Sequence, residues 1–279
     1  MHVDYTKLQA LCATFRRDII DILYAVQTGH PGGSLSAVEI LTAIFFVHAR
    51  VNAANPSWED RDRVVLCKGH AAPILYRILA EKGFFSVEEM KTLRQCGSML
   101  PGHPSAKVTP GVDLASGPLG IGLSAAVGMA LASRLDDRQN HIYAVLGDGE
   151  LNEGTVWEAL MSAVKFKTGN LIVIVDNNHV QLDGTCEEIM PSGDLLAKFR
   201  AFGANALCVD GHDLQELCCA IDTAKADPQT PTVILAQTVK GKGVSFMEGK
   251  SSWHGSPIGE KEYQQAILEL GGATYGSHN

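Results

Sequence analysis

The stretch VLGDGELNEGTVWEALMSAVKFKTGNLIVIVDNNHVQLDG, residues 145–184, holds the ends of two apolar runs, each running into acidic or amide residues beside a turn. The runs, residues 141–147 and 171–176, are short and rich in β-branched side chains, and residues 153–167 between them place apolar positions at helical spacing. Uninterrupted apolar strands joined by a crossover helix indicate a parallel sheet covered on both faces. In such sheets ligands bind beyond the carboxyl ends of the strands. Asp148 falls just past the first strand, and Asn177 and Asn178 fall just past the second.

The pattern continues in both directions. Helices are predicted over residues 5–26, 36–48, 71–82, 122–136, 193–202 and 213–226, and strands over 63–68, 205–210 and 232–239. Residues 97–122 form a Gly/Pro-rich passage with little periodicity, and so long a loop within a compact chain is usually functional. No repeat, low-complexity tract or linker is evident. The expectation is one α/β domain over residues 1–279, with a mostly parallel sheet and helices on both faces.

Composition narrows the function classes. A net charge of −8 disfavours general binding to nucleic acid or to anionic membranes. Seven cysteines, with no CxxC pair, suggest neither a disulfide framework nor a zinc ribbon, so a reducing cytoplasmic location is expected. The charged N-terminus lacks the apolar core of a signal peptide, and no uncharged apolar run reaches the roughly 18 residues of a membrane span.

If the two strands of the opening stretch are neighbours, one carboxylate, one amide oxygen and a turn carbonyl face a single crevice. Three hard oxygens are too few for a divalent cation alone, and magnesium completed by phosphate oxygens and water is the natural partner. Gly149 permits close backbone approach, and the helix after it turns its N–H groups toward an anion. Asp-Gly and Asn-Asn are also ordinary turn residues, so spacing and sheet context carry this reading. The Walker pattern is absent, and GPLGIG, residues 117–122, lacks the dinucleotide order and does not directly follow a strand, which argues against a nicotinamide enzyme.

G-D-G followed about thirty residues later by N-N resembles the signature of thiamine diphosphate enzymes. TGHPGGSLSAVEIL (28–41), LCKGHAAPILYRIL (66–79), PGHPSAKVTPGVDLASGPLGIGLSAAVGMALA (101–132) and KGKGVSFMEGKSSWHGSPIG (240–259) together resemble the N-terminal, diphosphate-binding part of a transketolase. The resemblance implies Asp148, Asn178 and the main-chain carbonyl of Val180 as metal ligands for Mg2+, with Ca2+ or Mn2+ as alternatives. It places Gly149 and Asn178 on the diphosphate of thiamine diphosphate, and Gly117, Pro118 and Leu119 along the pyrimidine. Glu153 contributes in the family to the cross-subunit interface around the cofactor, although here it reads equally as a favourable charge at a helix start. Lys240 would offer its ammonium to the diphosphate, with Lys242 as the alternative and a solvated turn lysine as the plain reading.

Four of the ten histidines, His30, His70, His103 and His254, sit in Gly/Pro/Ser-rich stretches that suggest loops. By resemblance His30, His103 and His254 line the substrate channel, with His254 also near the cofactor, and His70 approaches the diphosphate. An imidazole that exchanges charge near pH 7 suits that proton traffic. His2, His48, His141, His179, His212 and His278 are read as structural or solvated.

In the family, the glutamate that activates the cofactor lies on a pyrimidine-binding domain with no counterpart here. The resemblance is thus to the N-terminal subunit of a split transketolase, a transferase inactive alone and paired with a separate C-terminal subunit, as α2β2. Its reaction moves a two-carbon ketol unit from a ketose to an aldose. Pentose phosphates, phosphorylated apiose-type sugars and sulfonated sugars all remain open as substrates. A 2-oxoacid dehydrogenase subunit or deoxyxylulose-phosphate synthase fragment would share G-D-G and N-N but not GHPGG together with SWHG. A non-catalytic cofactor-binding module would have no need of the four histidines.

Overall fold

The computed structural model describes residues 3–271; His2 and His278 lie outside them. Five strands, β1 (Arg63–Leu66), β2 (Ile142–Gly147), β3 (Leu171–Asn177), β4 (Asn205–Asp210) and β5 (Thr232–Gln237), form an all-parallel sheet in the order β1-β2-β3-β5-β4. Alternate residues feed two cores. Tyr143, Val145, Ile172, Ile174, Ile234 and Ala236 face one side, and Ile142, Ala144, Leu146, Leu171, Val173, Val175, Val233 and Leu235 the other.

The first core is covered by α1 (Tyr5–Val26), α2 (Pro31–Ser36), α3 (Val38–Ala43), α4 (Ala72–Glu81) and the later α9 (Leu214–Lys225). The second is covered by α5 (Ile121–Leu135), α6 (Gly154–Lys165) and α8 (Leu195–Ala201). A short α7 (Cys186–Ile189) follows β3, and α10 (Glu260–Glu269) packs back on α1.

Two expectations are corrected. The helix predicted over residues 36–48 is instead α2, then α3, then a π turn at Ile44–His48. Helix begins already at Pro31 because proline is pre-shaped for a first turn, so the last three residues of GHPGG are helical and only Gly29 and His30 are loop. β4 is a sheet edge in which only Ala206 is fully buried, although α9 packs on one of its faces and α8 on the other. No expectation covered α10, whose low apolar content hides its helical spacing. Among the described residues no helix is long and apolar enough to cross a membrane.

Register places the site. β2 pairs with β3 so that Gly147 lies opposite Asp176, and β3 pairs with β5 so that Asn177 lies opposite Gln237. The turns after these three strands therefore open at one level. Gly120, at φ 87°, starts α5 so close to the start of α6 that a Cβ there would lie 2.5 Å from Thr155 Oγ1. That contact ties the Gly/Pro-rich passage to the turn after β2.

Candidate functional site

Asp148 is buried at the end of β2, where Oδ1 accepts from Gly149 N at 2.8 Å and Oδ2 from His179 N. Burial raises its carboxyl above the usual range, the nearby Asp176 charge adds to this, and the two backbone donors oppose it. Asn177 turns toward β5, its amide donating to Gln237 Oε1 at 3.0 Å. Asn178 has its Oδ1 on the turn, accepting from Val180 N at 3.2 Å. His179 makes the reversal possible by adopting φ 61°, so its backbone is part of the turn even though its sequence context reads as structural. The turn closes through a bridge between Val180 and Thr185.

Lys240 is not solvated. It is 2 % exposed, and its ammonium reaches the Val180 carbonyl at 3.1 Å, the Gln181 carbonyl at 3.3 Å and His254 Nδ1 at 3.0 Å. Burial, together with the charge of Lys68, lowers its pKa to about 8. Lys242 instead turns outward toward Glu248, 4.0 Å away.

The four histidines converge. Ring centroids of His30 lie 5.7 Å from His70, 6.0 Å from His103 and 5.4 Å from His254, and His70 lies 4.8 Å from His254. His30, immediately before α2, and His103 lie in irregular chain, whereas His70 and His254 belong to short 3-10 turns. Burial, followed by the charge of His103 on His30, of Lys240 on His254 and of Lys68 on His70, lowers His30 to about 4 and His254 to about 3, and holds His70 well below its usual value. Burial and Arg94 lower His103 as well. These rings are therefore neutral donors and acceptors at pH 7, rather than groups poised to change charge there.

Gly117, Pro118 and Leu119 form the rim, with Leu119 38 % exposed. Glu153 is exposed at the start of α6. Its neighbour Glu150 is buried and ties the two loops together, accepting from Gly120 N at 2.8 Å and Gly147 N at 3.3 Å.

Sequence reasoning missed the support beneath the site. Asp176 is fully buried and would be costly if left alone; it accepts from Lys68, from Thr238 Oγ1 and from Ser36 Oγ at 2.6 Å. Lys68 Nζ also donates to the Gly33 carbonyl at 3.0 Å. Burial alone would raise the Asp176 pKa, but the Lys68 charge and these donors outweigh it and hold the group below its usual value. The signal was present in both cases, since each is a charge closing an apolar strand run.

The residues fit a bound diphosphate. His30 Nδ1, Ser116 Oγ and Gln181 Nε2 are buried without hydrogen-bond partners, as expected of groups whose partner is a ligand. A Cβ on Gly33 would lie 2.9 Å from His70, so that backbone must stay bare for the ring to sit there. Among the described residues no three His, Cys, Asp or Glu side chains gather as a metal set. A cation at this turn would rely on amide and carbonyl oxygens and on ligands that arrive with it. An oxygen-lined turn facing a buried ammonium suits a diphosphate, and with the parallel sheet it defines an α/β protein whose ligand site lies at the strand ends.

Comparison with known proteins supplies the family. Residues 8–277 match the family described as transketolase, thiamine diphosphate binding domain. The chain belongs to that family. It is 43% identical over 263 residues to the 6-deoxy-6-sulfo-D-fructose transketolase subunit of Clostridium sp. (strain MSTE9), covering 94% of this chain and 96% of that one. It is 38% identical over 271 residues to an apulose-4-phosphate transketolase subunit of Phocaeicola vulgatus, covering 97% and 95%. The solved transketolase of Campylobacter jejuni superposes with a TM-score of 0.90 at 34% identity, over 98% of this chain but only 43% of that one. The chain thus spans under half of that solved chain and nearly the whole of the two relatives named as subunits.

Proposed function

We propose that this chain is the diphosphate-binding subunit of a two-subunit transketolase, which with a separate partner transfers a two-carbon ketol unit from an anionic ketose to an aldose. The observation that carries this reading is the convergence of Asp148, Asn178 and the Val180 carbonyl with Lys240 and four neutral histidines at the ends of adjacent strands. When bound, thiamine diphosphate supplies the carbanion chemistry, and the protein supplies anchoring, orientation and proton handling.

Asp148 Oδ, Asn178 Oδ1 and the Val180 carbonyl would hold Mg2+, whose remaining positions suit diphosphate oxygens and water. Gly149 offers its backbone, and Lys240 and His70 would neutralise or bond the diphosphate. Gly117, Pro118 and Leu119 give the pyrimidine a backbone-and-apolar edge. His30, His103 and His254 would bond the hydroxyls of the sugar and hold or pass their protons, acting from the neutral state.

A partner subunit is supported by the names of the two relatives of matching length, both of them subunits of a transketolase. Apolar side chains are also exposed beside the site and on the neighbouring helices: Ile121, Met161, Leu182 and Met190 are each more than half exposed. Glu153, exposed on the same side as Ile121, is available to that partner. We take the assembly to be α2β2 and the compartment to be cytoplasmic, in keeping with seven free cysteines. The same two relatives are named for a sulfonated and a phosphorylated ketose, which is the reason for an anionic donor; pentose phosphates belong to that class.

The test mixes purified chain and partner with Mg2+ and thiamine diphosphate and assays ketol transfer from each donor type. Turnover is expected only from the mixture, with Asp148→Asn abolishing it. Full transfer by this chain alone would overturn the reading.

A further inference from the structure

The turn that follows Val180 places an unassigned amide against the diphosphate-facing glycine. Gln181 N donates to the Gly184 carbonyl at 3.0 Å, and the Gln181 carbonyl accepts from Lys240 Nζ at 3.3 Å, so the residue is pinned at both backbone ends. Its side chain lies over Gly149: a Cβ built on that glycine would be 2.9 Å from Gln181 Cβ and 3.4 Å from Oε1. The amide nitrogen is buried and makes no hydrogen bond.

A glutamine amide carries two N–H donors, and leaving them buried and unmet is costly. The neighbouring acceptors are already engaged. Asp148 Oδ1 and Oδ2 take Gly149 N and His179 N, and the Val180 and Gln181 carbonyls take Lys240. What the pocket lacks is an acceptor-rich group, and a diphosphate is such a group.

We infer that Gln181 is a cofactor-binding residue, donating its side-chain amide to a diphosphate oxygen of thiamine diphosphate beside Gly149. This rests on the cofactor reading above. It makes Gln181 part of the anchor together with Lys240 and gives the loop between β3 and α7 a direct role in grip as well as in metal ligation.

The experiment measures calorimetric affinity for thiamine diphosphate, and separately for inorganic diphosphate, in the presence of Mg2+. It uses the full chain alone and mixed with its partner, comparing wild type, Gln181→Met and Gln181→Glu. Gln181→Met, close in shape but without donors, is expected to weaken both ligands about tenfold, and Gln181→Glu to weaken them further by placing a carboxylate against phosphate. The melting temperature of the ligand-free protein is expected to stay the same or rise in Gln181→Met, because an unmet donor is removed. Affinities of the folded variants within about twofold of wild type, a span well below the loss of one charge-assisted bond, would overturn the inference. Failure of wild type to bind either ligand in any mixture would overturn the cofactor reading itself, so the two failures are distinct.

Discussion

The ammonium of Lys240 lies 3.1 Å from the carbonyl oxygen of Val180, the same oxygen that the proposed function gives to the metal. A lysine and a divalent cation cannot both hold that oxygen closely, since their charges repel. On that reading Lys240 stands, in the ligand-free chain, where the metal would bind, and loading the site would move it from the carbonyl to the diphosphate.

Lys240→Met should consequently separate two affinities. With the competing cation gone, Mg2+ alone should bind more tightly. Thiamine diphosphate with Mg2+ should bind about tenfold more weakly or worse, the loss of one charge-assisted hydrogen bond. Calorimetry with each ligand checks this, and a change in the same direction for both would refute the exchange.

Lys68 and Asp176 form a pair with almost no exposure on either side. Removing one partner leaves a stranded buried charge, so Lys68→Met should cost about 3–5 kcal/mol in urea unfolding. Adding Asp176→Asn, which can still meet the Ser36 and Thr238 hydroxyls, should restore part of that loss. A single-variant cost below about 1 kcal/mol, the scale of a surface pair, would show that the lock is not structural.

Strand placement could be read from the sequence because apolar β-branched runs are a local signal, and the observed β2, β3, β4 and β5 fall within a residue or two of expectation. Asp148 and the four histidines could be found because each sits beside glycine or proline, and Asn178 because it follows the end of an apolar strand run. Lys68 and Glu150 also adjoin glycine and Asp176 closes a strand run, so position marked these residues without showing what they do. Their role lies in pairing across segments far apart in the chain, as when Lys68 meets Asp176 and Glu150 meets Gly120. Residues 28–41 misled for a different reason: Gly32 and Gly33, which read as loop, are helical residues without side chains, so that the Trp253 carbonyl and the His70 ring can approach them.

The histidine cluster gives a pH dependence with a definite sign. Unfolded chain takes up protons near the ordinary imidazole value of 6.5, whereas folded His30 and His254 resist until about 4 and about 3. Between 6.5 and 4 the unfolded state binds more protons, so stability falls as pH falls across that window and is at its full value above it. The melting temperature of the ligand-free chain should drop on acidification from pH 7.5 to 5. A His30→Asn/His254→Asn variant should drop less steeply, and an identical slope would refute the assignment.

Glu150 bridges the two loops with both carboxylate oxygens, Oε1 to Gly120 N and Oε2 to Gly147 N. Glutamine has only one acceptor oxygen, and its NH2 would face the remaining N–H donor to donor. Glu150→Gln should therefore behave as a disruptive change in spite of its shape, costing about 1–3 kcal/mol for an unmet buried donor. Because Gly120 N sits where residues 117–119 enter α5, the local effect should exceed the global one: exchange of the Gly120 amide should accelerate more than that of amides in β2. It should also loosen the rim proposed for the pyrimidine, weakening thiamine diphosphate more than inorganic diphosphate. Equal protection at Gly120 in variant and wild type would mean that the loop is held by packing on Thr155 and Glu153 instead.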